Sequence, residues 1–104
     1  MLATDVLKLL GFARRARKVV VGATGASVSV RRGNARLIVL ACDLSAHTQS
    51  KMMAQAAGAG VEVVSFGTKR ELGQALGRDE AGVVVVTDAR IAEAIRRAVQ
   101  GELS

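Results

Sequence analysis

The sequence predicts an α/β fold, a three-layer α-β-α sandwich built around a four-stranded sheet. Two observations carry that prediction. Short apolar runs alternate with segments of helical periodicity, which gives the order α-β-α-β-α-β-α-β-α. Two of the apolar runs, Leu37–Cys42 and Gly82–Val86, have no polar face, so helices must cover both sides of the sheet.

Each element has its own signal. Thr4 is a candidate cap for a first helix, in which Val6, Leu9, Leu10 and Ala13 recur at helical spacing. Arg14, Arg15, Arg17 and Lys18 follow at its end, where cations suit the helix dipole. Val19-Val20-Val21 reads as a short strand, and Gly22 to Val30 as a second helix ended by Gly33-Asn34. Arg36 to Cys42 reads as a buried strand, with Cys42 expected as an inert, buried thiol. Asp43 to Ser45 is a turn, and Ser45 is a candidate cap for a third helix. Met52, Met53, Ala56 and Ala57 mark that helix's apolar side, and Gly58 and Gly60 close it.

Val61 to Phe66 reads as the third strand. Thr68-Lys69-Arg70-Glu71 has the spacing of a capping box and opens a short helix through Leu72, Ala75 and Leu76, stopped by Gly77. Gly82 to Val86 is the fourth strand, and Asp88 caps a last helix that buries Ile91, Ile95, Ala98 and Val99. Residues 1–104 are expected to form one domain with no internal repeat.

Composition narrows the function. The chain has no Trp, Tyr or Pro, and Phe12 and Phe66 are its only aromatics. A base-stacking platform for single-stranded nucleic acid is therefore not expected. One Cys and one His give no intramolecular disulfide and no metal-ligand spacing, so neither a metal nor a cofactor is expected. The longest apolar run is too short to span a membrane. No secretory signal is read, and a reducing cytoplasmic setting is expected.

The net charge is +6, and it is unevenly placed. Residues 1–36 hold eight Lys and Arg against Asp5 alone, whereas residues 37–104 hold seven bases and eight acids. A concentrated basic region favours a polyanion, with nucleic acid the default. The competing reading is a soluble basic surface with no specific partner.

Three constellations could carry a function. Val19 to Ser27 resembles a strand running into a Gly-rich phosphate-binding turn, with Asp43 about twenty residues on. The third glycine position holds Val28, so the dinucleotide pattern is incomplete. Catalysis finds no signature: His47 reads as solvated, Asp79-Glu80 as surface charge and Asp88 as a helix cap. RNA contact remains. Arg14, Arg15, Arg17, Lys18, Arg31, Arg32 and Arg36 bracket the Gly22 turn and are expected to contact phosphate. Gly22, Thr24 and Gly25 are expected to form a surface of close approach, with Thr24 and Ser27 as donors to phosphates or base edges.

The stretch from Leu10 to Gly22, LGFARRARKVVVG, resembles the opening of the bacterial YlxQ-type proteins of the ribosomal protein L7Ae superfamily, which binds kink-turn RNA. The resemblance continues through Val30 to Asp43, then Lys69 to Gly77, then Val83 to Asp88. It implies a mixed sheet. It also implies a non-catalytic RNA-binding module associated with ribosomes or translation, with structured RNA (ribosomal RNA included) and translation proteins as partners. In that superfamily the helix after the turn glycine enters the widened groove of the kink-turn. There an Asn/Glu or Glu/Glu pair reads sheared G·A pairs, and a lysine one turn later contacts phosphate.

Lys18, Gly22, Arg32 and Gly33 fit that pattern. The paired reading positions fall on Thr24 and Gly25 and the lysine position on Val28, so this chain departs from it there. The loop that packs on the flipped-out part of the RNA falls on Arg78 to Gly82, which is charged, as it is in YlxQ-type members. Two alternatives stay open: a protein-interaction module of the same fold without specific RNA readout, and a nucleotide-binding α/β domain.

Overall fold

A computed structural model describes residues 3–103. The elements run α1 (Ala3–Arg15), β1 (Val19–Val21), α2 (Ala23–Arg31), β2 (Leu37–Leu40), α3 (Ala46–Ala59), β3 (Val63–Ser65), α4 (Lys69–Ala75), β4 (Val83–Val86) and α5 (Ala89–Leu103). This is the predicted order. The four strands form one sheet in the order β1-β4-β2-β3. β2 and β3 are parallel, and β4 runs antiparallel to both β1 and β2, so the sheet is mixed.

The sandwich follows from side-chain alternation along the two central strands. Leu37, Val39, Val84 and Val86 point into one core, where they meet Val6 and Leu10 of α1, Leu72 of α4, and Ile95 and Val99 of α5. Ile38, Leu40, Val83 and Val85 point the other way, onto Ala26 and Val30 of α2 and Met52 and Ala56 of α3. Every residue of β2 and β4 is buried, which is why neither strand has a polar face. The edge strands β1 and β3 are shorter and only partly covered.

Local signals account for most of the helix ends. The Ser45 hydroxyl accepts from the Thr48 N–H at 3.3 Å, and Gly60 ends α3 in the left-handed region at φ 69°. The Thr68 hydroxyl accepts from the Glu71 N–H at 3.1 Å, and the Glu71 carboxylate accepts from the Thr68 N–H at 3.0 Å, which completes the capping box. The Asp88 carboxylate accepts from the N–H groups of Arg90 and Ile91 at 2.9 and 3.0 Å.

Four expectations are corrected. Thr4 lies inside α1 rather than before it, and its side chain falls outside the described residues. β2 ends at Leu40, one backbone bond before its pairing with β4 stops. Ala41 donates to the Gly82 carbonyl at 2.9 Å and Cys42 to the Gly67 carbonyl at 2.7 Å. Cys42 therefore leaves the apolar run and is exposed, not buried. Gly58 sits within α3, and only Met52 and Ala56 form its buried face. Met53, 55% exposed, and Ala57 face solvent.

Candidate nucleic-acid interface

The sheet has two ends, and the predicted site residues are divided between them. At the first end, the Gly22 N–H donates to the Val83 carbonyl and the Ala41 N–H to the Gly82 carbonyl, both at 2.9 Å. Here α2, α3 and α4 all begin. At the second end, the Thr87 N–H donates to the Lys18 carbonyl and the Arg36 N–H to the Val86 carbonyl, again at 2.9 Å. Here α2 finishes and α5 begins.

At the Gly22 end, Gly22 sits before α2 at φ 101°, ψ 154°, a conformation in which a Cβ is strained. No side chain caps α2, so its first N–H groups face outward without a side-chain acceptor. Thr24 is exposed on the first turn. Gly25 faces inward: a Cβ there would lie 2.6 Å from Val20 Cγ1. Its missing side chain lets α2 lie close on β1, which is a packing role rather than the expected surface one. Ser27 is also committed elsewhere, its hydroxyl donating to Gln55 Oε1 of α3 at 2.7 Å.

This end holds a cation that sequence reasoning overlooked. The Lys69 stem lies over Gly82, with Cδ 3.7 Å from where a Cβ there would stand. The Lys69 N–H donates to the Asp43 carboxylate at 2.8 Å, and its carbonyl accepts from the Ala81 N–H at 2.9 Å. Asp43 is thus a second acceptor for the start of α4, not a ribose ligand. The capping-box spacing locates Lys69 in the first turn of α4, but nothing local brings that turn to β4.

Most of the predicted basic set lies elsewhere. α2 has nine residues, a length of about 13 Å, so Arg31 and Arg32 stand at the far end from Gly22. Arg17, Lys18 and Arg36 are at that same Lys18 end. Arg17 bends the chain into β1 at φ 61°, and Arg36 Nη1 donates to the Gly33 carbonyl at 3.1 Å. Arg14 and Arg15 close α1 on the α4 side. The Arg14 guanidinium covers Gly77, and Arg15 lines a groove with Leu7, Gly11, Gln74 and Ala75. The expected ring of cations around the Gly22 turn does not form.

The acids of the Lys18 end are already engaged. Glu93 of α5 pairs with Arg96 and, at 3.0 Å, with Arg97. Arg96 also lies 3.9 Å from Glu62. Its hydrogen bond to Arg96 holds the Glu93 carboxyl below the usual glutamate range. Asp88 is likewise held below the usual aspartate range, chiefly by the Ile91 N–H, with the Arg90 N–H and the Lys18 charge adding to it. A carboxyl lowered by folding stabilises the fold above its unfolded pKa and loses that contribution as pH falls through the folded value. Asp88→Asn keeps a capping oxygen but removes the titration. It is expected to leave stability at neutral pH near that of the parent and to soften the loss of stability below about pH 4, followed by circular dichroism. An unchanged acid limb would show that Asp88 takes no part in it.

The chain matches known proteins by sequence and by shape. It is 35% identical over 80 residues to the RNA-binding protein YlxQ of Bacillus subtilis, covering 77% of this chain and 80% of that protein. A structure of a protein of unknown function from Bacillus halodurans superposes with a TM-score of 0.90 at 29% identity, over 92% of this chain and 97% of the other. The 15.5kD RNA binding protein of Giardia lamblia shares the fold, with a TM-score of 0.76 at 21% identity over 96% and 86% of the two chains. No helix among the described residues is long and apolar enough to cross a membrane. Residues 4–95 match the ribosomal protein L7Ae/L30e/S12e/Gadd45 family, and the chain belongs to that family.

Proposed function

We propose that this protein is a non-catalytic, cytoplasmic RNA-binding protein that engages structured, kink-turn-like RNA at the Gly22 end of its sheet, in a ribosomal or translational setting. The observation that carries the reading is the start of α2. A glycine at φ 101° precedes nine helical residues whose first N–H groups have no side-chain cap. Such a helix start accepts phosphate or a base edge at close range. Thr24 supplies a hydroxyl there, and Lys69 supplies charge from the neighbouring turn. Membership in the L7Ae family and the likeness to an RNA-binding relative support the same reading. The attraction for phosphate at this end comes from Lys69 and does not depend on base sequence.

Readout at this end is expected to be weak. A bidentate contact to a base edge is worth about 1–3 kcal/mol, and neither Thr24 nor Gly25 carries the carboxylate or amide that makes one. A fluorescence titration against a kink-turn RNA, and against the same RNA with its G·A pairs replaced, measures this at two salt concentrations. The expected result is a preference of about tenfold or less for the intact kink-turn, with both affinities falling as salt rises. Equal affinity for the two RNAs would overturn the kink-turn part of the proposal. No affinity for either would favour a protein-interaction module, a reading to which the 52% exposed Phe12 already lends weight.

A further inference from the structure

We propose that the Lys18 end of the sheet is a second RNA-backbone surface, so that one protein molecule holds two RNA segments at once. The proposal rests on the reading of the Gly22 end and adds a partner for the opposite one.

Charge placement carries the argument. The chain's positive charge is concentrated in residues 1–36, yet the start of α2 receives little of it. Around the Gly22 end, Lys69, Arg70 and Arg78 are outnumbered by Asp43, Glu71, Asp79 and Glu80. The Lys18 end is different. Arg17, Lys18, Arg32 and Arg36 are all exposed there, on the turn into β1, the end of α2 and the entry to β2. None of the four has a carboxylate within 4 Å among the described residues. Glu62 and Glu93 are occupied by Arg96 and Arg97, and Asp88 spends its oxygen on the start of α5. Even with Asp88 acting on Lys18 and with Glu62 and Glu93 in the same pocket as Arg36, the cations of this end, Arg96 and Arg97 included, outnumber its three carboxylates.

That composition suits a phosphate backbone and little else. Exposed guanidinium and ammonium groups without base-reading neighbours bind sequence-independently and release counterions as they do so. A protein partner would be expected to find buried apolar or aromatic anchors at the contact, whereas Arg17, Lys18, Arg32 and Arg36 are four exposed cations. The two ends are separated by the length of α2, about 13 Å, and face opposite directions. A straight duplex docked across the Gly22 end does not reach the Lys18 end, so the second surface takes a second duplex segment.

Two labelled RNAs test this: a donor-labelled kink-turn hairpin and a separate acceptor-labelled duplex of about 20 base pairs. The parent protein is expected to give energy transfer between them that fades as salt rises. In K18Q/R32Q/R36Q the transfer is expected to vanish while affinity for the hairpin stays within about twofold, and duplex affinity to drop at least tenfold. The salt slope of duplex binding should fall by about 2 to 3, as for three lost phosphate contacts. K18R/R32K/R36K keeps the charge and is expected to restore the transfer, which separates loss of charge from loss of fold. Transfer that survives in the neutral variant overturns the proposal, as does hairpin affinity that falls in step with duplex affinity. Duplex capture that depends on these three residues, with no hairpin binding at all, would retain this surface and overturn the reading of the Gly22 end instead.

Discussion

Ile95→Ala is expected to cost roughly 3–4 kcal/mol of folding stability, within the range for truncating a fully buried aliphatic side chain. Ile95 has no exposed surface and sits where α5 meets α1 and the central strands, in the same core as Leu10, Leu37 and Val86. α1, α5 and the central strands hold it between the helical layer and the sheet, so the site cannot collapse cheaply onto the space left behind. A chain of this size is stable by only about 5–15 kcal/mol, so the loss is a large share of the total. Urea unfolding followed by circular dichroism measures it. A loss under about 1 kcal/mol would mean that α5 is held far more loosely than its burial indicates.

The second large effect is at Gly73, in the middle of α4. A Cβ there would stand 2.7 Å from both Cα and N of Glu80 and 2.8 Å from the Asp79 carbonyl carbon. These are backbone atoms, which cannot swing aside as a side-chain tip can. The loop they belong to is tied at two points, Arg78 N–H to the Gly73 carbonyl at 2.8 Å and Ala81 N–H to the Lys69 carbonyl at 2.9 Å. Alanine gains about 1 kcal/mol of helix propensity over glycine. Overpacking costs typically 1–3 kcal/mol, and a rigid backbone contact belongs at the top of that range. Gly73→Ala is therefore expected to lose about 2 kcal/mol net, or about 8–16 °C in Tm by calorimetry. A Tm equal to or above the parent's would show that the 78–80 loop moves freely.

The features legible in the sequence were those a few residues can specify. Ser45, the Thr68–Glu71 box, Asp88 and Gly60 act within one helical turn of themselves, and each does what its type and spacing predicted. The buried strands were legible because a run such as Val83–Val86 has no second interpretation at that length. What escaped depends on strand order. β4, late in the chain, inserts between β1 and β2, and only that order shows which loops share an end of the sheet. Hence Arg31, Arg32 and Arg36 looked close to Gly22 in sequence, yet they lie at the other end of α2. Cys42 escaped because the last residue of an apolar run follows the chain out of the ladder. Gly25 reads as a surface glycine in the sequence because only the fold sets Val20 against it.

The outermost strands give the cations a further role. β1 pairs through only three residues, and its free edge is a template on which another chain could add a strand. Arg17 and Lys18 stand at the head of that edge, with Arg32 and Arg36 nearby across the same end of the sheet. A second copy pairing in parallel along that edge would bring these like charges together. The same cations thus disfavour parallel addition of one β1 to another.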